Sequence, residues 1–311
     1  MNVSNTLLFI IFLIFILGVG YFIARIGNTY IRRSLTWGIL LAGLICVNFG
    51  FLYHENNAVL RMVLICLTLL ASMKIVVYAE WTQGQKRLTL FCYSIFVALW
   101  FGMDPQSFER RKKDLAWHQD FLTGCGFFLS GLFLSYIVYK SEWQNIWVIF
   151  IPMSLAFHFG ILRILKSFIR RVGFPVRTLF PNPFLLRGFD DFWSRRWNVA
   201  YSQMMQRVIG RPAANCFGKN VSIFLVFLSS GLLHELAITL PVKSGYGLPT
   251  LYFSIHGLLT VLERQFCLQG AYLKWLAGGC VVAGLPWLFP PAFQREVLIP
   301  ILNSFSCFLN L

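Results

Sequence analysis

Residues 220–242 read NVSIFLVFLSSGLLHELAITLPV. At about 1.5 Å of rise per residue, a run of this length crosses about 30 Å of hydrocarbon as a helix. His234 and Glu235 interrupt it, and an ionisable pair at that depth is costly enough to mark a functional site. Upstream, residues 189–198 read FDDFWSRRWN and concentrate charge, aromatic rings and one amide. Pro181 and Pro183 precede them and break any helix entering the stretch.

Outward from this stretch, uncharged runs recur at 6–24, 34–53, 88–103, 121–139, 143–162, 244–262 and 275–294, with 62–79 interrupted only by Lys74. Together with 220–242 they suggest about nine spans. Hydrophobic residues make up 57% of the 311 and charged ones 13%, about half the share usual in soluble domains. The expected fold is all-α: a polytopic transmembrane helical protein of about 8–10 spans, with an amphipathic or re-entrant helix near 189–209. A single domain over 1–311 is expected, with its motif core at 180–263. The first run has no cationic stretch before it and no small-residue cleavage pattern after it, so it reads as a retained helix. Eight cysteines form no Cys-x-x-Cys pair and most sit in apolar runs, so neither a disulfide framework nor a metal site is expected.

The net charge is +15, from 27 basic against 12 acidic residues. With nine spans, one side of the membrane holds 18 basic residues and the other 8, Lys74 lying within a span. This predicts a cytosolic N-terminus and a cytosolic 163–219 segment, in the endoplasmic reticulum or a bacterial inner membrane. The basic loop Arg110-Arg111-Lys112-Lys113 suits anionic membrane lipids, and no nucleic-acid partner is expected. Arg25, Arg32 and Arg33 read as interfacial anchors, and Lys74 as a cation snorkelling to the headgroups. Arg163, Lys166, Arg170 and Arg171 recur at helical spacing, as in a helix bending along the membrane surface.

A helix is expected from Phe189 to Ile209, capped by Asp190 or Asp191 and stopped by Gly210 and Pro212. It would place Trp193 and Trp197 on one face and pair Asp191 with Arg195. In the next span Ser230 and Gly231 share the face of His234 and clear space beside it, for a substrate or for a neighbouring helix. Glu235 points roughly 100° away and needs its own partner.

A buried neutral histidine suits general-base work near neutral pH. His234 could take the proton from a hydroxyl attacking a thioester, which is already activated and needs no Ser or Cys nucleophile. No Gly-x-Ser-x-Gly elbow is present. Asn198 could donate to the developing oxyanion or orient the acceptor. Arg195 and Arg196 could grip the phosphates of coenzyme A. Plainer readings stand beside these: His234 as an interhelical hydrogen bonder, the arginines as interfacial anchors, Trp193 and Trp197 as an aromatic belt.

Asp191-Phe192-Trp193-Ser194-Arg195-Arg196-Trp197-Asn198, followed by Ser230-Gly231-Leu232-Leu233-His234-Glu235-Leu236, resembles the membrane-bound O-acyltransferase superfamily. The pair looks most like its wax-synthase branch, the long-chain-alcohol O-fatty-acyltransferases. Pro249-Thr250 and His256-Gly257 resemble the next helix of that branch. Ser194 departs from the pattern, which would have glycine there. The resemblance implies a multi-helix fold with a central tunnel, acyl-CoA entering from the cytosol and a lipophilic alcohol from the bilayer. It puts His234 at the catalytic-histidine position and Asn198 at the motif's polar position, with Trp193, Arg195, Arg196, Trp197, Ser230, Gly231 and His256 around the substrates. Acyl-CoA would be a co-substrate, and no other cofactor is implied. Diacylglycerol, a sterol or another hydroxylated acceptor is an alternative. A reading of another class is a transporter or lipid-binding protein relaying protons through His234 and Glu235, though no internal repeat supports it.

Overall fold

The computed structural model describes residues 3–52, 55–83, 87–113, 116–141 and 145–307, which form helices and turns with no strand among them. They fall into two units, Met1–Arg111 and Lys112–Leu311.

The first unit holds α1 (Val3–Ile23), α2 (Thr29–Cys46), α3 (Ala58–Thr82) and α4 (Leu90–Ala98). Asn28 and Asn57 cap α2 and α3, their side chains accepting backbone N–H bonds from the first turn. Tyr21, Tyr78 and Tyr93 form the aromatic centre of the unit, with Tyr78 and Tyr93 4.7 Å apart. Lys74 does not snorkel. Its side chain is fully buried, and Nζ donates to the Phe96 carbonyl at 2.9 Å and to that of Gly102. The carbonyls at the end of α4 lack helical donors, and the ammonium supplies them while lying 3.9 Å from the Phe96 ring centroid. Arg32 is also buried within the protein, its Nη1 donating to the Ile26 carbonyl at 2.6 Å. Arg33 pairs with Glu80 through two hydrogen bonds of 2.5 and 2.9 Å.

The second unit opens with α5 (Trp117–Ser141) against α6 (Ile146–Ser154) and α7 (Leu162–Arg171), the last two joined without a break by a π turn over Leu155–Ile161. Gly131 and Gly160 permit the contact: a Cβ on Gly131 would stand 2.5 Å from the Ala156 nitrogen. Then come α8 (Phe189–Asp191), α9 (Val199–Met205), α10 (Arg211–Phe217), α11 (Lys219–His234), α12 (Leu240–Val242), α13 (Leu248–Gln265) and α14 (Ala271–Ala283). The unit ends with α15 (Leu285–Leu288), α16 (Pro291–Phe293) and α17 (Ile299–Cys307).

Among the described residues seven helical segments are long and apolar enough to cross a membrane, so the chain is an all-α, multi-pass membrane protein. The number is below nine for two physical reasons. The run at 88–103 yields only the nine-residue α4, about 14 Å long. α13 has 18 residues but ends in the polar Glu263-Arg264-Gln265. The sidedness expected for the N-terminus was tied to the larger number.

The helix expected from Phe189 to Ile209 is interrupted. α8 runs into a π turn over Phe192–Arg196, and the chain is extended at Trp197 and left-handed at Asn198 before α9 begins. In the π turn residues five apart are neighbours: the Trp197 N–H donates to the Phe192 carbonyl at 2.9 Å. Asp191 therefore pairs with Arg196 at 2.5 Å, and not with Arg195. Trp193 and Trp197 do not share a face: Phe192 touches both rings, but Trp193 goes on to Phe253 and Trp197 to Phe180.

Candidate active site

α11 and α13 cross closely because two glycines lie at the contact. A Cβ on Gly231 would come within 2.7 Å of Thr250 Cα, and one on Gly257 within 2.7 Å of Phe227 Cβ. The space beside Gly231 is thus taken by α13. Ser230 is buried, and its hydroxyl donates to the Val226 carbonyl at 3.0 Å.

His234 ends α11. Its Nδ1 lies 2.7 Å from the Ser230 carbonyl oxygen. A carbonyl can only accept, so Nδ1 carries the hydrogen and Nε2 of the neutral ring has a free lone pair. Among the described residues Nε2 makes no hydrogen bond. The ring is half-buried, lies 4.3 Å from that of Phe253 and meets Tyr201 edge-on at 6.0 Å. The next residue opens a π turn over Glu235–Thr239, a feature common at functional sites. The Glu235 carboxylate accepts from the Thr250 N–H at 3.0 Å, the Thr250 hydroxyl at 2.9 Å and the Thr239 hydroxyl at 2.6 Å. It therefore caps α13, meeting an N–H that the first helical turn leaves unpaired.

His256, in the middle of α13, is buried, and its Nδ1 accepts from Trp193 Nε1 at 3.3 Å. Its ring also meets the backbone of Cys280. Trp193 packs between Phe227 and Phe253, so Phe253 touches both Trp193 and His234. Trp197 lies instead with Phe180, His158 and Phe150.

The two arginines separate. Arg196 is held by Asp191 and donates to the Asn182 carbonyl at 3.3 Å. Arg195 lines a cavity of about 500 Å³ together with Lys166, Arg170 and Arg177. The α7 cations are not spread along a membrane surface. Arg163, Lys166 and Arg170 converge on buried Asp120 at 3.3, 2.9 and 2.9 Å. One carboxylate against three cations leaves a positive surplus beside the cavity.

Asn198 has φ +42°, a left-handed conformation that asparagine tolerates better than most residues. Its Oδ1 accepts from the Tyr201 N–H at 3.3 Å, capping α9 and leaving Nδ2 as its donor. The Ser194 hydroxyl donates to the Asp190 carbonyl at 2.5 Å, so a serine fits there at no hydrogen-bonding cost.

Four features add to the sequence reading. Glu263 accepts from the Phe189 and Asp190 N–H groups at 2.6 and 3.3 Å, and Arg264 pairs with Asp190 at 2.5 Å. Together they clamp α13 to the start of the 189–198 segment, where a Cβ on Gly188 would stand 2.5 Å from Glu263 Oε1 and press on the clamp. Phe253 is the ring shared by His234 and Trp193. Arg177 joins the basic cavity. Tyr201 brings a buried hydroxyl to the His234 side of the site. The signal for Tyr201 was its place three residues after Asn198, the spacing of an N-cap bond. Among the described residues no cluster of three or more His, Cys, Asp or Glu could hold a metal ion.

The site is thus a half-buried histidine with one free nitrogen, on a helix able to cross a bilayer in an all-helical membrane protein; the same unit carries a basic cavity lined by Arg195. Residues 176–255, which hold the Asp191–Asn198 and Ser230–Leu236 blocks, match the family model described as the membrane bound O-acyl transferase family. The chain is 26% identical over 156 residues to the Arabidopsis thaliana protein named probable long-chain-alcohol O-fatty-acyltransferase 7, covering 47% of this chain and 44% of the relative. A Simmondsia chinensis long-chain-alcohol O-fatty-acyltransferase is 24% identical over 142 residues, 40% of each. The Arabidopsis thaliana acyl-CoA–sterol O-acyltransferase 1 is 27% identical over 132 residues, 37% of this chain and 38% of the relative. These matches span about half or less of the length of the curated relatives.

Proposed function

We propose that the chain transfers a fatty acyl group from acyl-CoA to the hydroxyl of a lipophilic alcohol, giving a wax-type ester. The observation that carries this is the anchored His234 ring, whose Nδ1–H is spent on Ser230 and whose Nε2 is free to accept a proton. Nε2 takes the hydroxyl proton as the alcohol oxygen attacks the thioester carbonyl carbon. The tetrahedral intermediate collapses, the C–S bond breaks, and the coenzyme A sulfur leaves with the proton that Nε2 carried. The balance closes with acyl-CoA as co-substrate and no cofactor or metal.

The basic cavity supports the acyl-CoA half of this reading. Arg195, Arg177, Arg170 and Lys166 face it, and guanidinium forks suit phosphate. Six arginines (177, 187, 195, 196, 207 and 211) lie between α7 and α11, and residues 142–145 contain no basic residue. That asymmetry favours a cytosolic 172–218 segment, where acyl-CoA would arrive. The similarity to a relative named as a sterol acyltransferase keeps a sterol acceptor as the second reading, by the same chemistry. Membranes containing the protein, given labelled acyl-CoA with long-chain alcohols, diacylglycerol and sterols, should yield ester most rapidly with an alcohol. No ester with any acceptor overturns the proposal.

A further inference from the structure

We infer that Tyr201 is a catalytic residue: its hydroxyl donates to the acyl carbonyl oxygen as His234 draws the proton from the acceptor. The inference rests on the acyl-transfer reading.

Three observations converge on it. The phenol oxygen is buried and has no hydrogen-bond partner among the described residues. Buried hydroxyls are rarely left so, and one that is calls for an explanation. Tyrosines that only hold this fold together are partnered: Tyr93 donates to the Leu17 carbonyl at 2.8 Å and Tyr252 to that of Val281 at 3.4 Å. The Ser230 hydroxyl lies beside Tyr201 but sends its own proton to Val226, so it does not donate to the phenol.

The second observation is placement. Tyr201 meets the His234 ring edge-on, with ring centroids 6.0 Å apart, which puts the phenol next to the proposed base. The third is rigidity. The Asn198 side chain accepts from the Tyr201 N–H itself, so the left-handed turn at Asn198 fixes where α9 starts and where its tyrosine stands. Burial also raises the phenol above its ordinary pKa, so it keeps its proton and acts as a neutral donor.

During attack the carbonyl π pair moves onto oxygen, where the Tyr201 O–H holds it. The pair returns to carbon as the C–S bond breaks, and Tyr201 keeps its proton throughout. Asn198 then contributes chiefly as a positioning residue.

The test pairs Tyr201→Phe with an acyl-CoA analogue whose thioester C=O is replaced by C=S, a much poorer hydrogen-bond acceptor. Phe removes only an unpartnered hydroxyl, so thermal stability should be unchanged. With normal acyl-CoA, kcat should fall about 10²-fold, the usual effect of losing one oxyanion donor, at constant KM. The wild-type preference for C=O over C=S should shrink about 10-fold in the variant, because the variant no longer has the donor that distinguishes the two. An unchanged preference, or a kcat within about twofold of wild type, overturns the assignment of Tyr201 alone. Failure of the wild-type protein to acylate any acceptor overturns the acyl-transfer reading beneath it.

Discussion

His234 and His256 sit on adjacent, closely crossing helices, yet their surroundings differ in kind. The His256 ring is buried, with Trp193 at Nδ1 and the Cys280 backbone against it. His234 spends Nδ1 on Ser230 and leaves Nε2 open in a half-buried ring. Burial alone therefore does not mark the reactive group; an unspent valence does. The same contrast divides Arg195, facing the basic cavity, from Arg196, held by Asp191. It also divides Tyr201 from Tyr252.

The sharpest way to break the contrast is to substitute both histidines by glutamine, which keeps polarity but takes no proton. His234→Gln should lose about 10²–10⁴-fold in acyl transfer, the usual worth of a general base, with the fold and acyl-CoA binding intact. His256→Gln can still accept from Trp193, so it should keep most of its turnover and show its effect as a lower melting temperature in detergent. A thermally normal, active His234→Gln variant would erase the distinction.

The next effect separates the arginines. Arg195→Ala should raise the KM for acyl-CoA about 10-fold with little change in that for the alcohol. Arg196→Ala leaves Asp191 without its partner and should instead lower thermal stability, by about 1–3 kcal/mol, with parallel effects on both substrates. Equal kinetic profiles for the two variants would mean that the cavity does not bind the donor. A smaller, purely structural effect belongs to Gly231→Ala. The added methyl must push Thr250 away and should cost about 1–3 kcal/mol, read as a shift in thermal unfolding.

The membrane class, the helical content and the two motif blocks were legible because they are local: hydropathy over twenty residues, and His234 four residues after Ser230. Four things were not. Lys74 reads as a snorkelling cation because nothing in its own helix shows that the carbonyls of Phe96 and Gly102 need a donor. The cations of α7 read as belonging to a helix bending along the membrane surface because their common acceptor, Asp120, lies on α5, more than forty residues earlier. The Asp191–Arg195 pairing presumes a 3.6-residue turn, and the π turn at 192–196 replaces it with Asp191–Arg196. Glu235 needed a partner, but that the partner was Thr250, fifteen residues on, depended on how α11 and α13 cross.

The finest test falls on Asn198, which spends Oδ1 on the Tyr201 N–H and retains Nδ2. Alanine there loses the cap, worth about 1 kcal/mol, and pays about 1–2 kcal/mol for the left-handed backbone. Asn198→Ala should thus lower both stability and turnover, and cannot by itself separate positioning from donation. Aspartate can. It tolerates the same backbone conformation and offers the same capping oxygen, but has no N–H to donate. If Asn198 acts by setting the start of α9, and so the place of Tyr201, Asn198→Asp should stay within about threefold of wild type in kcat and match it in thermal stability. If Nδ2 holds the oxyanion directly, the same variant should lose about 10²–10³-fold while remaining folded. That outcome would move Asn198 to the uncommitted side of the comparison, beside His234, and leave Tyr201 at most a share of the carbonyl.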